Sequence, residues 1–342
     1  MNTSLSPNTN IAYWTAVKSV ELTDRDMRVD LYSNKQLNGL KLVQFYGSGP
    51  GIANNQINLH GHTFSIGGGG LINASEEETK IVDGYLTAHA GTINITNTVD
   101  TTNELFIGAV ITNNQGSRVS LTITRDSDWA SSKKRIVALG GNQPNTFTGE
   151  TTITLNNVLR LKKDKGATAI SGDLRINQGA TVELYKTHQI NRSARVVLFS
   201  AAGYAASEIV FKGEQGRNLT ENIHQLVVEG TGKIDFGGES YRGEHSLYLD
   251  DLEIKEGGRL IIENWKEGRD YLLVRKDSKH LQDSLKRIEF ADGRKWGDLV
   301  DAGGMYYSIS NAPEPAVFGA GIMALGLGAL AWRRKHTAKP SA

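Results

Sequence analysis

The chain has 342 residues, a net charge of +1 and no cysteine. A charge balance this close to neutral excludes an electrostatic case for nucleic-acid binding, and the missing thiols exclude a disulfide framework and thiolate metal centres. Glycine is abundant at 38 and proline scarce at 6; together with recurring threonine, asparagine and isoleucine, this points to many short strands and tight turns rather than to helices.

Positions 1–12 read as a disordered or truncated start, because Met1 to Asn10 carries neither the basic start nor the apolar core of a signal peptide. Positions 13–310 read as one body. Short alternating runs begin at Tyr13 and include Val29-Asp30-Leu31, Leu40-Lys41-Leu42 and Ile57-Asn58-Leu59. The last of these turns through His60-Gly61-His62 into Phe64-Ser65-Ile66, and Gly67 to Gly70 is expected to break the chain. Ile93-Asn94-Ile95, Leu105-Phe106-Ile107 and Val119 to Ile123 follow. Period-two alternation places the apolar residues on one face and Thr, Asn and Ser on the other.

One pattern repeats at a fixed offset. Leu174-Arg175-Ile176, Gly179 and Val182-Glu183-Leu184 match Leu252-Glu253-Ile254, Gly257 and Leu260-Ile261-Ile262. Ile57-Asn58-Leu59, Gly61 and Phe64-Ser65-Ile66 follow the same scheme one residue shorter. Each unit is a strand, a glycine corner and a second strand, and it buries its apolar face only by stacking on its neighbours. A β-sandwich and a parallel β-solenoid both fit. Two-residue hairpin signals are scarce and the body far exceeds the about 100 residues of a sandwich, so the expected fold is all-β, a right-handed parallel β-helix. At roughly 20 to 25 residues per coil it would have on the order of a dozen coils. Stacked Asn and Thr could satisfy backbone groups between coils. Tyr13 to Val20 could cap one end, and a short helix over Leu281 to Arg287, with Leu281 and Leu285 four apart, could lie near the other.

The middle of the body resembles a known family. Gly141-Asn142-Gln143-Pro144-Asn145-Thr146-Phe147-Thr148-Gly149, then Thr151-Thr152-Ile153 and Val158-Leu159-Arg160-Leu161, resembles the autotransporter-associated β-strand repeat over about 139–161. Glu150 stands where that repeat usually has glycine, and one loop residue is missing before Val158. Here Gly149 allows a sharp corner and Phe147 can pack inward. The resemblance implies a right-handed β-helix in a secreted or surface protein. Leu247 to Trp296 looks, more loosely, like the last coils of such a protein.

The sequence contains few candidates for chemistry. His60 and His62 are the one close histidine pair, but Gly61 marks a turn and no third ligand follows, so no metal site is expected. Asp250, Asp251 and Glu253 could suggest paired carboxylates. Adjacent strand residues point to opposite faces, so Asp250 and Asp251 read as solvated turn residues. Asp24, Asp26 and Asp30, and likewise Glu76 to Glu78, read as exposed acidic loops. Gly67 to Gly70 lacks the Gly-Lys-Ser/Thr of a phosphate loop, and no Gly-x-Ser-x-Gly elbow occurs. No catalytic residue and no cofactor is expected. Tyr204, Tyr241, Tyr248, Trp265 and Tyr271 could stack on sugar rings; the alternative is a core or stacking-ladder role, and position on the outer face decides between them.

The chain closes on Pro313-Glu314-Pro315, seventeen uncharged residues from Ala316 to Trp332, and Arg333-Arg334-Lys335. As a helix, 316–332 spans about 25 Å at about 1.5 Å per residue, the lower limit for a bilayer core, and the three cations hold that end on the cytoplasmic side. This order resembles the PEP-CTERM sorting domain of Gram-negative bacteria over 311–336, with 337–342 a tail. The resemblance implies recognition of Pro313, Glu314 and Pro315 by an exosortase-type membrane enzyme, transient residence in the inner membrane, and a surface or extracellular destination. The expected protein is an exported, non-catalytic spacer, adhesive or matrix component, with surface polysaccharide as a candidate partner. The rivals are a polysaccharide-degrading enzyme on the same fold, which needs three or more carboxylates or a Lys/Arg cluster in one groove, and an autotransporter passenger, which needs a C-terminal barrel.

Overall fold

The computed structural model describes residues 3–5, 19–23, 28–44, 55–75, 78–89, 91–98, 103–125, 134–213, 216–238, 243–293 and 296–310. Apart from one antiparallel hairpin at the end, the described strands pair in parallel, each with the strand one coil later. The chain therefore winds into an all-β parallel solenoid of about nine complete turns.

Three faces make up each coil. Face I contains Thr92–Asn97, Ser120–Arg125, Thr151–Ile153, Leu174–Asn177 and Arg195–Phe199. Face II is an eleven-stranded stack running from Arg28–Asp30 to Ile288–Phe290. Face III contains Tyr85–Ala88 and Val110–Ile111. Four long strands, Lys35–Gln44, Thr63–Ser75, Leu219–Glu229 and His245–Ile254, turn the corner from face III to face I without interruption. Gly67 to Gly70 lies inside one of them, so the expected chain break is a bend within a strand. The reason is steric: a Cβ on Gly67 would lie 2.8 Å from Asn38 Cα and one on Gly69 3.0 Å from the Asn38 carbonyl oxygen, so the bend of one coil packs directly on that of the last.

The alternation seen in the sequence becomes a set of interior ladders. On face I, Leu40, Leu71, Ile95, Ile123, Ile153, Ile176, Leu198, Val228 and Ile254 stand in register, one per coil. Face II repeats this with Leu105, Val137, Leu159, Val182, Ile209, Ile234, Ile262 and Phe290. All are buried, and each contributes about 1.5–3 kcal/mol on leaving water.

The repeated units divide between two corners. Gly179 (φ +77°) and Gly257 (φ +73°) turn the chain from face I to face II. Gly61 (φ +78°) turns it from face II to face III. Its unit is one residue shorter because it serves a different corner. Gly149 lies at a bend just before the face I strand Thr151–Ile153, without a left-handed backbone; a Cβ there would lie 2.4 Å from the Val119 carbonyl oxygen and Ser120 Oγ, so glycine is required by close approach of the preceding coil. Phe147 does pack inward and is fully buried.

Buried polar side chains bond across coils. Asn73 Nδ2 donates to Asn97 Oδ1 (3.2 Å), and Asn97 Nδ2 donates to Asn157 Oδ1 (3.0 Å). Asn145 accepts the Ile111 N–H (2.9 Å) and donates to the Ala169 carbonyl (2.8 Å), so it ties three coils together. Glu221 is an interior carboxyl that accepts the N–H groups of Gln189 (2.8 Å) and Ile190 (3.3 Å).

At the C-terminal end the helix Leu281–Leu285 lies over the last strand of face I. Ser284 Oγ accepts the Ile254 N–H (2.8 Å) and donates to the Leu252 carbonyl (2.9 Å), and Arg287 donates to the Ile254 carbonyl (2.9 Å). The strands Asp298–Asp301 and Tyr306–Ser310 form the antiparallel hairpin, which covers Asp270–Arg275 on face III. Both devices close open sheet edges. Residues 13–18 of the proposed N-terminal cap, Pro313, Glu314 and Pro315, the run 316–332, and Arg333, Arg334 and Lys335 lie outside the described residues. Among those described, no helix is long and apolar enough to cross a membrane.

Glu221 supplies a pH test of this interior. Burial pushes its pKa up to about 8, against the pull of backbone N–H groups from Gln189, Ile190 and Asn222. An acid with a raised folded pKa holds its proton longer in the folded state, so its contribution to stability falls as pH rises from the ordinary carboxyl range to about 8. Glu221→Gln removes that slope. The difference in unfolding free energy between variant and wild type is expected to move in favour of the variant by on the order of 4 kcal/mol across this window. Denaturant unfolding at several pH values measures it, and a pH-independent difference contradicts the assignment.

Candidate functional site

The regular stack ends where Asp270–Arg275 pairs on one side with His245–Ile254 in parallel and on the other with Tyr306–Ser310 antiparallel. Alternation points every second residue of these strands outward. Ser246, Tyr271 and Ser310 form one outer row, and Tyr248, Leu273, Ser308 and Val300 the next. The segment following Trp265 walls this surface on one side, giving a cleft of about 410 Å³. Tyr248, Trp265 and Tyr271 line it together with Glu244, Glu267 and Asp270. Tyr248 meets Tyr306 edge to face at 5.2 Å, which fixes its ring, and the Tyr271 hydroxyl donates to the Gly268 carbonyl (3.1 Å).

The charged residues among the described lining are all acidic, with Arg269 Nε 3.8 Å from Asp270 Oδ2. Asp270 is fully buried; its Oδ2 accepts the Lys266 N–H (2.8 Å), whereas Oδ1 has no hydrogen-bond partner. Burial pushes the Asp270 pKa up to about 6, although the Lys266 and His245 N–H groups and the charge of Arg269 favour its anion. The Tyr271 hydroxyl is pushed above its ordinary value, first by burial and then by the charges of Glu244 and Asp270. Trp265 has two roles. Its ring extends an interior aromatic column, edge-on to Phe236 (5.2 Å) and Phe290 (5.7 Å), with Phe211 stacked on Phe236 (5.1 Å), and its buried Nε1 has no hydrogen-bond partner.

Three of the five aromatic candidates thus share one cleft. Tyr204 lies apart in a turn, 37% exposed, and Tyr241 is outside the described residues. The carboxylates Glu244, Glu267 and Asp270 and the hairpin serines were not singled out from the sequence. Their one sequence signal is the alternation around Tyr248 and Tyr271, which places those rings on the outer face.

The remaining candidates are distributed as follows. His60 pairs with Asp30 (2.7 Å) and stacks on Tyr32 at 5.5 Å; Asp24, Asp26, Glu76 and Glu77 are outside the described residues. Asp250 and Asp251 do diverge: Asp250 meets His224 (3.2 Å), while Asp251 accepts from Ser278 (2.6 Å) and contacts His280 Nδ1 (2.6 Å). Burial raises the Asp251 pKa, but the hydrogen bonds from Ser278 and His280 outweigh it and hold the group below the usual range.

A second carboxylate group escaped the sequence reading. Glu208, Asp235 and Glu263 stand on successive coils of the outer side of face II, with one oxygen from each within 4.8 Å of the others. Lys233 pairs with Glu263 (2.5 Å), Asn264 donates to Asp235 (2.7 Å), and Thr181 donates to Glu208 (3.3 Å). Burial raises the Glu208 pKa; Lys134 pulls it back and Asp235 adds to the rise. No local spacing could reveal this group, because each member comes from a different coil.

No family model, no curated protein and no solved structure matches the chain.

Asp270 gives the site a measurable signature. Its carboxyl is expected to titrate near pH 6, about two units above an ordinary aspartate. Carbon-detected NMR of the side-chain carboxyl reads this directly, with Asp270→Asn as the assignment control; a midpoint near about 4 refutes the environment described.

Proposed function

We propose that this chain is an exported, non-catalytic surface or extracellular-matrix protein, a right-handed β-solenoid rod that binds polysaccharide at the cleft beside its C-terminal hairpin. The observation that carries the reading is the convergence of Tyr248, Tyr271 and Trp265 with carboxylates and hydroxyls on the outer face of the last coils. Aromatic rings supply flat apolar surfaces with a polar handle, and the carboxylates accept hydroxyl hydrogens, the combination that sugar rings require. A cleft of about 410 Å³ falls within the usual range for small-ligand sites.

Two resemblances support the cellular part. The segment 139–161 is similar to the autotransporter-associated β-strand repeat, and 311–336 to the PEP-CTERM sorting segment. On this reading Pro313, Glu314 and Pro315 are recognised by an exosortase-type enzyme, 316–332 rests transiently in the inner membrane, and Arg333, Arg334 and Lys335 hold its cytoplasmic end. In a host with such a system, deleting residues 313–342 is expected to abolish processing and surface delivery. Unchanged location of the truncated protein refutes the sorting role.

Glycan binding is tested by affinity electrophoresis of the full chain on neutral, acidic and amino polysaccharides. Tyr271→Ala is expected to weaken retention about tenfold, within the about 1–3 kcal/mol range for base–aromatic stacking, with the thermal transition little changed. Equal retention of variant and wild type removes the cleft from the reading.

One observation favours a second reading, an enzyme that cuts polysaccharide. Glu208, Asp235 and Glu263 bring three carboxylates together, and the raised pKa of Glu208 suits a general acid. Against it, Lys233 and Asn264 already engage Glu263 and Asp235. Release of reducing ends from a polysaccharide panel, lost in Glu208→Gln, would establish the enzyme; no release by the wild type dismisses it.

A further inference from the structure

The lining of the cleft is one-sided in charge. Glu244 and Glu267 are exposed at its rim, and no lysine or arginine occurs among the described lining residues; the neighbouring cation Arg269 is turned to the buried Asp270, with its Nε 3.8 Å from Oδ2. Its hydrogen-bonding capacity is equally one-sided. The Tyr271 proton is committed to the Gly268 carbonyl (3.1 Å), and the exposed rim side chains Glu244 and Glu267 are acceptors only. Burial first, and then the charges of Glu244 and Asp270, push the Tyr271 hydroxyl above its ordinary value.

Different sugars would meet this surface differently. A uronic acid brings a further anion to the two exposed carboxylates Glu244 and Glu267. A neutral sugar offers single hydroxyl donors and leaves Glu244 and Glu267 uncompensated as they lose water. A protonated amino group brings three N–H donors, no acceptor and a positive charge, and beside Tyr248 and Tyr271 it gains cation–π attraction. We infer that the ligand of this cleft is a glycan bearing free amino groups, a polymer of amino sugars that are not N-acetylated. The inference rests on the reading of the cleft as a polysaccharide site and narrows it to one class.

The test uses the full chain, titrated calorimetrically at mildly acidic pH and low salt with three oligosaccharides of equal length: glucosamine, N-acetylglucosamine and a uronic acid. The glucosamine oligomer is expected to bind at least about tenfold more tightly than the acetylated one, the uronic acid oligomer more weakly than either, and added salt to weaken the first selectively. Glu244→Gln combined with Glu267→Gln, two exposed positions whose exchange spares the core, is expected to erase the preference for the glucosamine oligomer over the acetylated one. Equal or tighter binding of the acetylated or acidic oligomer overturns the amine assignment and leaves the polysaccharide reading standing. A preference that survives the double variant overturns it as well, because another surface then reads the amine. No binding of any of the three overturns both readings.

Discussion

In-register stacking of one coil on the next is the constraint on which the rest of this structure depends. A single coil has an apolar inner side it cannot bury and two rows of backbone groups it cannot satisfy. Laid on its neighbour it does both, and the column from Leu40 to Ile254 is the result on face I. Register tolerates little error, since a slip of one residue would turn the aliphatic ladder outward. Close stacking also selects residues. Gly149 and the bend at Gly67 to Gly70 are glycine because the coil below leaves no room for a Cβ.

Where face III has no regular strand, polar side chains take over the work of the ladder. Asn145, Gln189 and Glu221 lie in or next to these coils. Gln189 accepts the Lys163 N–H (2.8 Å) and donates to the Lys163 (3.1 Å) and Ala167 (3.2 Å) carbonyls, while Glu221 accepts backbone N–H groups from Gln189 and Ile190. Leaving such buried groups unpaired costs about 1–3 kcal/mol each, which outweighs the burial of a neutral amide but not comfortably that of a charge. Glu221 accordingly has its pKa raised to about 8. Lys163, buried with its ammonium donating to the Gly140 carbonyl (2.7 Å), has its pKa lowered to about 8. In both, desolvation is the dominant effect.

The candidate cleft arises where this regularity stops. An open parallel edge must be closed, and the chain closes it in two ways, with Ser284 and Arg287 over face I and an antiparallel hairpin over face III. The hairpin extends the outer surface of the last coils, and the turn after Trp265 stands above it. Aromatic rings, hydroxyls and carboxylates of the last coils are thereby gathered into one concavity. Termination of the fold and creation of the site are the same structural event.

How much of this was legible depends on the range of the interaction involved. Period-two alternation, the glycine offsets around Gly179 and Gly257, and the inward Phe147 are local properties, so the sequence alone determined an all-β stacked body, its corner type and the short helix after Leu281. The role of Gly149, the different corner served by Gly61 and the continuous strand through Gly67 to Gly70 depend on what the adjacent coil places beside each glycine. The same holds for the groups of charge. Glu208, Asp235 and Glu263 meet only because coils stack at a fixed spacing; Glu244 and Asp270 come together through the same parallel register, and Ser308 joins them only because a hairpin folds back. The tertiary structure decided these, since side chains a coil or more apart in sequence become neighbours through backbone register, which no local pattern encodes.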